Sequence, residues 1–262
     1  MKKYIINRYT LTIFGVIFFF LLWYLIYILA GKSIYVFPDP LTVIKRSFQL
    51  FQKPYLYKCI WGSLYRMLIG FGIAAILGIL LGMVVGNHIK MKLVFNPTMI
   101  ALRSIPTAAL VFLLLALAGF DNASPFVVMV IVFPMVYEAT VSGYQHIDKN
   151  ILMAMRVDSA NRLANNFKVK LPLSMPYILV GLTSSFALSF KIEIMAETLT
   201  SSSRSYGLGR AIAVAFANQT DGLVTTFAYA FVAILVMLIV SLLIWLIKKI
   251  FKIKSLSDFT QA

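Results

Sequence analysis

Six long apolar stretches limit what this chain of 262 residues can fold into. Most are long enough for an α-helix to cross the roughly 30 Å hydrocarbon core of a bilayer. Hydrophobic residues make up 61% of the chain, more than a soluble domain of this size would carry. The sequence therefore predicts an all-α integral membrane protein with about six transmembrane helices, near residues 11–30, 64–85, 97–119, 125–141, 173–199 and 223–247.

The shorter polar segments suggest how the chain is divided. Residues 1–60 are predicted to be a transmembrane helix followed by an extracytoplasmic segment, in which Leu41 begins a short surface helix. Residues 61–247 are predicted to form the core, with a short loop at 87–96 and a longer polar loop at 143–172. Residues 248–262 are expected to be a basic cytoplasmic tail.

Positive charge lies at the ends of the apolar stretches. The formal net charge is +15, yet the basic residues do not gather into a single nucleic-acid-binding stripe. If both termini are cytoplasmic, that side receives the N-terminal basic residues, Lys90, Lys92, the polar loop and the C-terminal lysines. This distribution follows the positive-inside rule, so it predicts cytoplasmic termini and indicates no nucleic-acid partner.

The polar loop carries the most specific motif. It resembles the cytoplasmic signature of bacterial ABC importer permeases, which is Glu-Ala-Ala, three residues, Gly, nine residues, Ile, one residue and Leu-Pro. The spacing matches without a gap, although Met153 stands at the position of the Glu and Ser159 at that of the Gly. A helix beginning near Asp148 or Asn150 is expected, with Leu171-Pro172 ending the segment before the next span. The predicted ATPase-coupling residues are Met153, Ala154, Met155, Arg156, Asp158, Ser159, Arg162, Leu171 and Pro172.

The resemblance extends from about Pro38 to Gly209 and is strongest to permeases of the nitrate, sulfonate, taurine and pyrimidine-precursor group. It includes the segments that begin at Trp61, Leu102, Pro176 and Gly207. It implies the type I importer permease fold, a bacterial inner-membrane location and a pathway formed with a second permease copy. It also implies a cytoplasmic ATPase dimer that binds ATP and Mg, an extracytoplasmic substrate-binding protein, and no cofactor in this chain. The solute is expected to be small and polar or anionic.

Small residues recur every four positions in the second apolar stretch. At that spacing they share one face of a helix, where another helix backbone can approach closely. The sequence predicts a helix-packing face formed by Gly70, Ala74, Gly78, Gly82 and Gly86.

Charged residues within the spans each need an explanation, because a charge near the bilayer centre costs about 2.5–3.5 kcal/mol on insertion scales. Arg66 and Glu138 are expected near span ends, with their charged groups reaching water. Two explanations fit the deeper residues equally: they line the translocation pathway, or they form buried ion pairs between helices. The pathway candidates are Arg103, Lys191, Glu193 and Glu197; for Arg103, a side chain that reaches cytoplasmic water is the other explanation.

An ion-coupled secondary transporter that uses Glu193 or Glu197 is the main alternative, although no internal repeat is evident. His88 and His146 are far apart and lack the spacing of a metal site. Gly31-Lys32-Ser33 is only a fragment of a phosphate-binding loop. The sequence therefore predicts no metal site and no catalytic activity in this chain.

Overall fold

The structure is a computed structural model that describes residues 8–32, 36–119, 123–158, 162–200, 206–218 and 222–250. It is helical, with no β-strand in these ranges. The helices are α1 (Arg8–Leu29), α2 (Pro40–Phe51), α3 (Pro54–Gly86), α4 (Ile89–Ser104), α5 (Thr107–Ala118), α6 (Ala123–Gln145), α7 (Lys149–Asp158), α8 (Arg162–Asn165), α9 (Leu171–Thr200), α10 (Leu208–Ala217) and α11 (Gly222–Ile250), with a π-helical turn at Asn166–Lys170.

Five helices are long and apolar enough to cross a membrane, and a bent pair raises the number to six if it forms one span. This agrees with the all-α membrane fold and the six spans expected from the apolar stretches. The five lie at Thr10–Leu29, Pro54–Gly86, Ala123–Gln145, Asn166–Thr200 and Gly222–Ile244. The expected surface helix is α2, whose N-terminus is capped by the Asp39 carboxylate accepting from Thr42 N at 2.9 Å.

The prediction for the third span was wrong in shape. Residues 97–119 do not form one helix, because α4 and α5 meet at a bend of 96°. Pro106 lacks an N–H and disfavours the helical conformation for Ile105, which adopts extended angles of φ −69° and ψ 125°. The predicted loop at 87–96 was also wrong, since α4 begins at Ile89. The expected boundary between residues 60 and 61 falls inside α3.

The centre of the bundle is the pair α3 and α6, which run in the same direction. A side-chain carbon added at Gly78 would lie 2.9 Å from Val136 Cβ, and one added at Gly86 would lie 2.7 Å from Tyr144 Cβ. The small-residue face therefore packs on α6, as its spacing predicts. The members in contact with α6 or buried between the two helices are Gly70, Ala74, Gly78, Gly82 and Gly86.

Helix α9 packs on the same pair but runs in the opposite direction. Gly143, near the end of α6, faces Ser174 and Tyr177 near the start of α9. Ser124, at the start of α6, contacts Glu193 near the end of α9. We call the two ends of the bundle the α7 end, where α6 leads into α7, and the α10 end, where α9 leads towards α10.

Helix α1 lies outside this bundle and exposes most of its apolar side chains. It is joined to the rest through Trp23, whose indole N–H donates to the Pro38 carbonyl at 3.1 Å. The Trp23 ring also packs against Phe37 and Phe227, so α1 is held near α2 and α11. Exposed apolar side chains of this kind are expected on a helix that faces lipid.

Candidate functional site

A cluster of three charged residues lies at the α10 end. Arg66 on α3 donates from Nε to Glu193 Oε1 at 3.1 Å and from Nη2 to Glu197 Oε1. Glu193 and Glu197 are one turn apart on α9, so both carboxylates face the same guanidinium. Glu193 is fully buried and Glu197 is 4% exposed. Buried carboxyl groups need an opposite charge or hydrogen bonds; Arg66 supplies one positive charge to the two of them, and hydrogen-bond donors supply the rest of the stabilisation.

Hydroxyl and backbone groups also bind these carboxylates, although Glu193 Oε2 is buried without a hydrogen-bond partner in the described residues. Ser63 donates to Glu197 Oε2 at 2.7 Å, and Ser124 donates to Glu193 Oε1 at 2.7 Å. The other partners lie at the start of α10, where Gly209 N donates to Glu197 Oε2 at 2.9 Å and Leu208 N donates to Ser63 Oγ at 2.8 Å. A carboxylate at a helix N-terminus is favoured by the unpaired N–H groups and the helix dipole. The cluster thus joins α3, α6, α9 and α10.

The prediction that Arg66 reaches water near a span end was wrong. Its guanidinium pairs with two buried carboxylates and also donates to the Tyr206 carbonyl at 2.7 Å. The sequence contains a signal for this arrangement: Ser63 and Arg66 share one face of α3, as Glu193 and Glu197 share one face of α9. For the two glutamates, the geometry favours the buried ion-pair explanation over the pathway.

A second ion pair joins α4 to α6 and has a different environment. Arg103 donates from Nη1 to Glu138 Oε2 and from Nη2 to Glu138 Oε1, each at 2.5 Å. The side chains are 40% and 47% exposed. Glu138 lies about 22 Å along α6 from Ala123, at 1.5 Å per residue, so this pair is exposed well inside a span. Glu138 was expected near a span end; the structure instead pairs it with Arg103.

Lys191 lies on the exposed face of α9, about 30 Å from Leu171 along the helix axis. It forms no ion pair with any residue that the structure describes. Glu193 faces the interior, in agreement with the expectation that the two side chains point in different directions. Of the pathway candidates, Lys191 and Arg103 are therefore exposed, while Glu193 and Glu197 are enclosed.

The coupling motif begins on α7. The Asp148 carboxylate accepts from Asn150 N at 2.7 Å, so the structure selects Asp148 from the two expected capping residues. Met153 is 60% exposed, Ala154 is also exposed and Met155 is half-buried. In the described ranges, α7 shares no extensive packing with another helix. The side chains of Arg156, Asp158 and Arg162, and all of Ser159, lie outside the described residues.

The end of the motif differs from the expectation. Leu171 and Pro172 do not separate the polar segment from the span, since one continuous helix runs from Asn166 to Thr200. Pro172 is tolerated because it occupies the first turn of α9, and the preceding π-helical turn provides different spacing for the backbone. The segment predicted to couple to the ATPase and the transmembrane helix are therefore joined directly.

A polar contact at the α7 end was not found from the sequence. Lys170 Nζ donates to Asn87 Oδ1 at 2.6 Å, and Asn87 Nδ2 donates to Asn166 Oδ1 at 2.9 Å. Asn87 is the first residue after α3, and the other two belong to the π-helical turn. The contact therefore links α3 to the base of α9. Its residues are ordinary polar loop residues in sequence, and only the fold brings them together.

Neither a metal site nor a reactive thiol emerges from the described residues. They contain no group of three or more His, Cys, Asp or Glu side chains that could hold a metal ion. The single cysteine, Cys59, is buried within α3. His146 stacks on Tyr177 with ring centroids 4.7 Å apart. The charged clusters are thus the candidate functional features.

Comparison with known families gives a match over most of the chain. Residues 74–252 match the family described as the binding-protein-dependent transport system inner membrane component. A methionine ABC transporter in an inward-facing conformation has a similar fold, with a TM-score of 0.58 and 19% identity, covering 71% of this chain and 91% of that one. This likeness concerns the fold alone.

Several curated relatives are also similar. The nitrate import permease protein of Leptolyngbya laminosa is 32% identical over 62% of this chain, and the match spans only 61% of that relative's length. The putative aliphatic sulfonates transport permease protein of Bacillus subtilis is 29% identical, covering 70% of this chain and 66% of the relative. The bicarbonate transport system permease protein of Synechococcus elongatus is 29% identical, covering 71% and 70%.

Proposed function

The chain belongs to the family of binding-protein-dependent transport system inner membrane components, and we propose that it is the permease subunit of an ATP-driven ABC importer. In this proposal it spans the bacterial inner membrane and forms the solute pathway with a second copy of itself. An extracytoplasmic binding protein delivers the solute. Cytoplasmic ATPase subunits bind ATP and Mg and hydrolyse the ATP, so the permease itself is not catalytic.

The observation that carries this proposal is the position of α7. This short helix lies between two membrane spans, packs little against the other helices that the structure describes, and exposes Ile151 and Met153. Exposed apolar side chains on a helix outside the core are typical of a surface that contacts another protein. We assign the α7 end to the cytoplasm and α7 to the groove of an ATPase subunit.

The base of α9 provides a route by which movement of α7 reaches the bundle. Helix α8 and the π-helical turn continue directly into α9, and Lys170 binds Asn87 at the end of α3. π-helical turns are frequent at functional sites, and a packed bundle has discrete rather than continuous arrangements. We infer that closure of the ATPases shifts α9 relative to the α3–α6 pair and so opens the pathway outward.

The exposed charges within the spans support a polar pathway. The Arg103–Glu138 pair and Lys191 are costly if they face lipid, but not if they face water between two permease copies. We assign Arg103 and Lys191 to that pathway and give Glu193 and Glu197 a structural role. The carrier alternative loses support, because both carboxylates are already bound by Arg66.

The names of three relatives support a small polar or anionic solute. They are named for the import of nitrate, for aliphatic sulfonates and for bicarbonate. Each of these solutes is small and carries negative charge. We expect this permease to import a solute of similar size that is polar or anionic.

Co-purification in detergent tests the coupling role of α7. We expect the native chain to retain its ATPase. The double variant Arg156→Glu, Asp158→Arg should co-purify with several-fold less ATPase, because the reversed charges oppose the docking surface. Lys45→Glu on the exposed face of α2 is the control and should retain the ATPase. Equal recovery from the native chain and the double variant would reject α7 as the docking helix. An ATPase that never binds the native chain would reject the importer.

A further inference from the structure

The exposed face of α9 changes character along its length. Towards its ends it carries large apolar side chains, including Val180 and Met195. Between these two, the exposed positions that share the same stripe are Ser184, Ala187 and Lys191. About 22 Å of helix separates Val180 from Met195, so a small and polar surface lies well inside the span. A lipid-facing surface would carry large apolar residues there.

Lys191 differs from the other cations deep in the described spans. Arg66 is bound by two carboxylates and Arg103 by one, whereas Lys191 forms no ion pair in the described ranges. An unpaired ammonium group at this depth needs water, or an anion that visits it. The polar stripe on which Lys191 lies provides the surface along which such an anion would move.

We propose that Lys191 is the residue that selects for negative charge in the outer part of the pathway, and that the solute is a small oxyanion. This inference rests on the proposed importer function and specifies its substrate class. An ammonium group presents a compact charge and three N–H donors on a flexible stem, which suits an oxyanion of variable orientation. Release requires that binding be weak, and a single lysine in water meets this requirement.

The single cysteine of the chain allows a direct test of water access. In a Cys59→Ala background, Lys191→Cys in the full chain should react with water-soluble methanethiosulfonates. Leu238→Cys on α11 is the control, because Leu238 is 60% exposed and lies beside the exposed apolar side chains of Ile239 and Leu242. The control should remain unreactive in the bilayer. Equal reactivity at the two positions, or none at Lys191→Cys, would overturn the inference.

Charge restoration then tests selection. The complex with its ATPase and binding protein is placed in liposomes, and ATP-dependent uptake of nitrate, ethanesulfonate and bicarbonate is measured. At solute concentrations below saturation, Lys191→Met should lower the uptake of the transported anion by about tenfold. This is the loss expected for one screened charge–charge interaction. Lys191→Arg should retain most of it. An aminoethyl group attached to Lys191→Cys should restore uptake, and a sulfonatoethyl group should not.

The outcomes separate the two proposals. If the native complex takes up none of these anions with ATP, the importer of small anions is rejected, and the role of Lys191 with it. The other outcome is that the native complex imports an anion at the same rate as Lys191→Met and as Lys191→Cys carrying either the aminoethyl or the sulfonatoethyl group. In that case the importer stands and the inference about Lys191 is wrong.

Discussion

Replacing Arg66 with methionine should lower the free energy of unfolding by about 3–5 kcal/mol, because it leaves two buried carboxylates without their cation. Glu193 is fully buried, and Arg66 is the cation that forms ion pairs with both carboxylates in the described residues. The start of α10 would also be affected, since Arg66 binds the Tyr206 carbonyl and Glu197 binds Gly209 N. We expect a much lower yield of folded protein and a lower thermal unfolding temperature in detergent.

Two variants make this result specific to the buried cluster. Arg103→Met removes an exposed ion pair, for which the expected loss is only about 0–1 kcal/mol. The triple variant Arg66→Met, Glu193→Gln, Glu197→Gln removes all three charges and should recover much of the stability, because no uncompensated charge stays buried. If Arg66→Met unfolds at the temperature of the native chain, the cluster contributes little to stability.

Replacing Gly82 with valine should lower the free energy of unfolding by about 1–3 kcal/mol, because the new side chain has no room between α3 and α6. Its first carbon alone would lie 2.5 Å from Thr140 Cβ and 2.8 Å from Thr140 Cγ2. The helices would have to separate along a contact that extends over several turns. The measurement is thermal unfolding of the purified variant in detergent.

Gly72 supplies the matched control for this substitution. It lies in the same helix, but a side-chain carbon added there meets no other atom within 4 Å. Gly72→Val therefore makes the same change in helix propensity without the clash. A similar loss of stability in the two variants would show that propensity, and not close packing on α6, determines the effect of Gly82→Val.

The all-α class and the approximate number of membrane spans are predictable from the sequence because the bilayer imposes the length of an apolar span. The stripe from Gly70 to Gly86 is predictable for a similar reason, since helical periodicity places these residues on one face. The 96° bend at Ile105–Pro106 was missed because hydropathy reports how apolar a stretch is and carries no information on the direction of its backbone. Pro106 was the available signal.

The charged residues show where sequence reasoning ends. Glu193 and Glu197 could be placed on one face of a helix from their spacing alone. Their cation, Arg66, lies more than a hundred residues earlier, and only tertiary packing brings it to them. The exposure of Lys191 could not be predicted either, because local sequence does not show which face of α9 packs against other helices. Asp148, in contrast, binds a backbone N–H only two residues away, and the sequence predicted it, with Asn150 as the alternative, as a cap.

The parallel pairing of α3 and α6 also limits how the length of this protein can vary. Gly78, Gly82 and Gly86 meet Val136, Thr140 and Tyr144 at a constant offset along the chain. Inserting one residue in either helix would rotate everything beyond it by about 100° and advance it by 1.5 Å. The glycines would then face away and bulky side chains would enter the contact. Insertions and deletions should therefore accumulate in the connections and be excluded from these two paired segments.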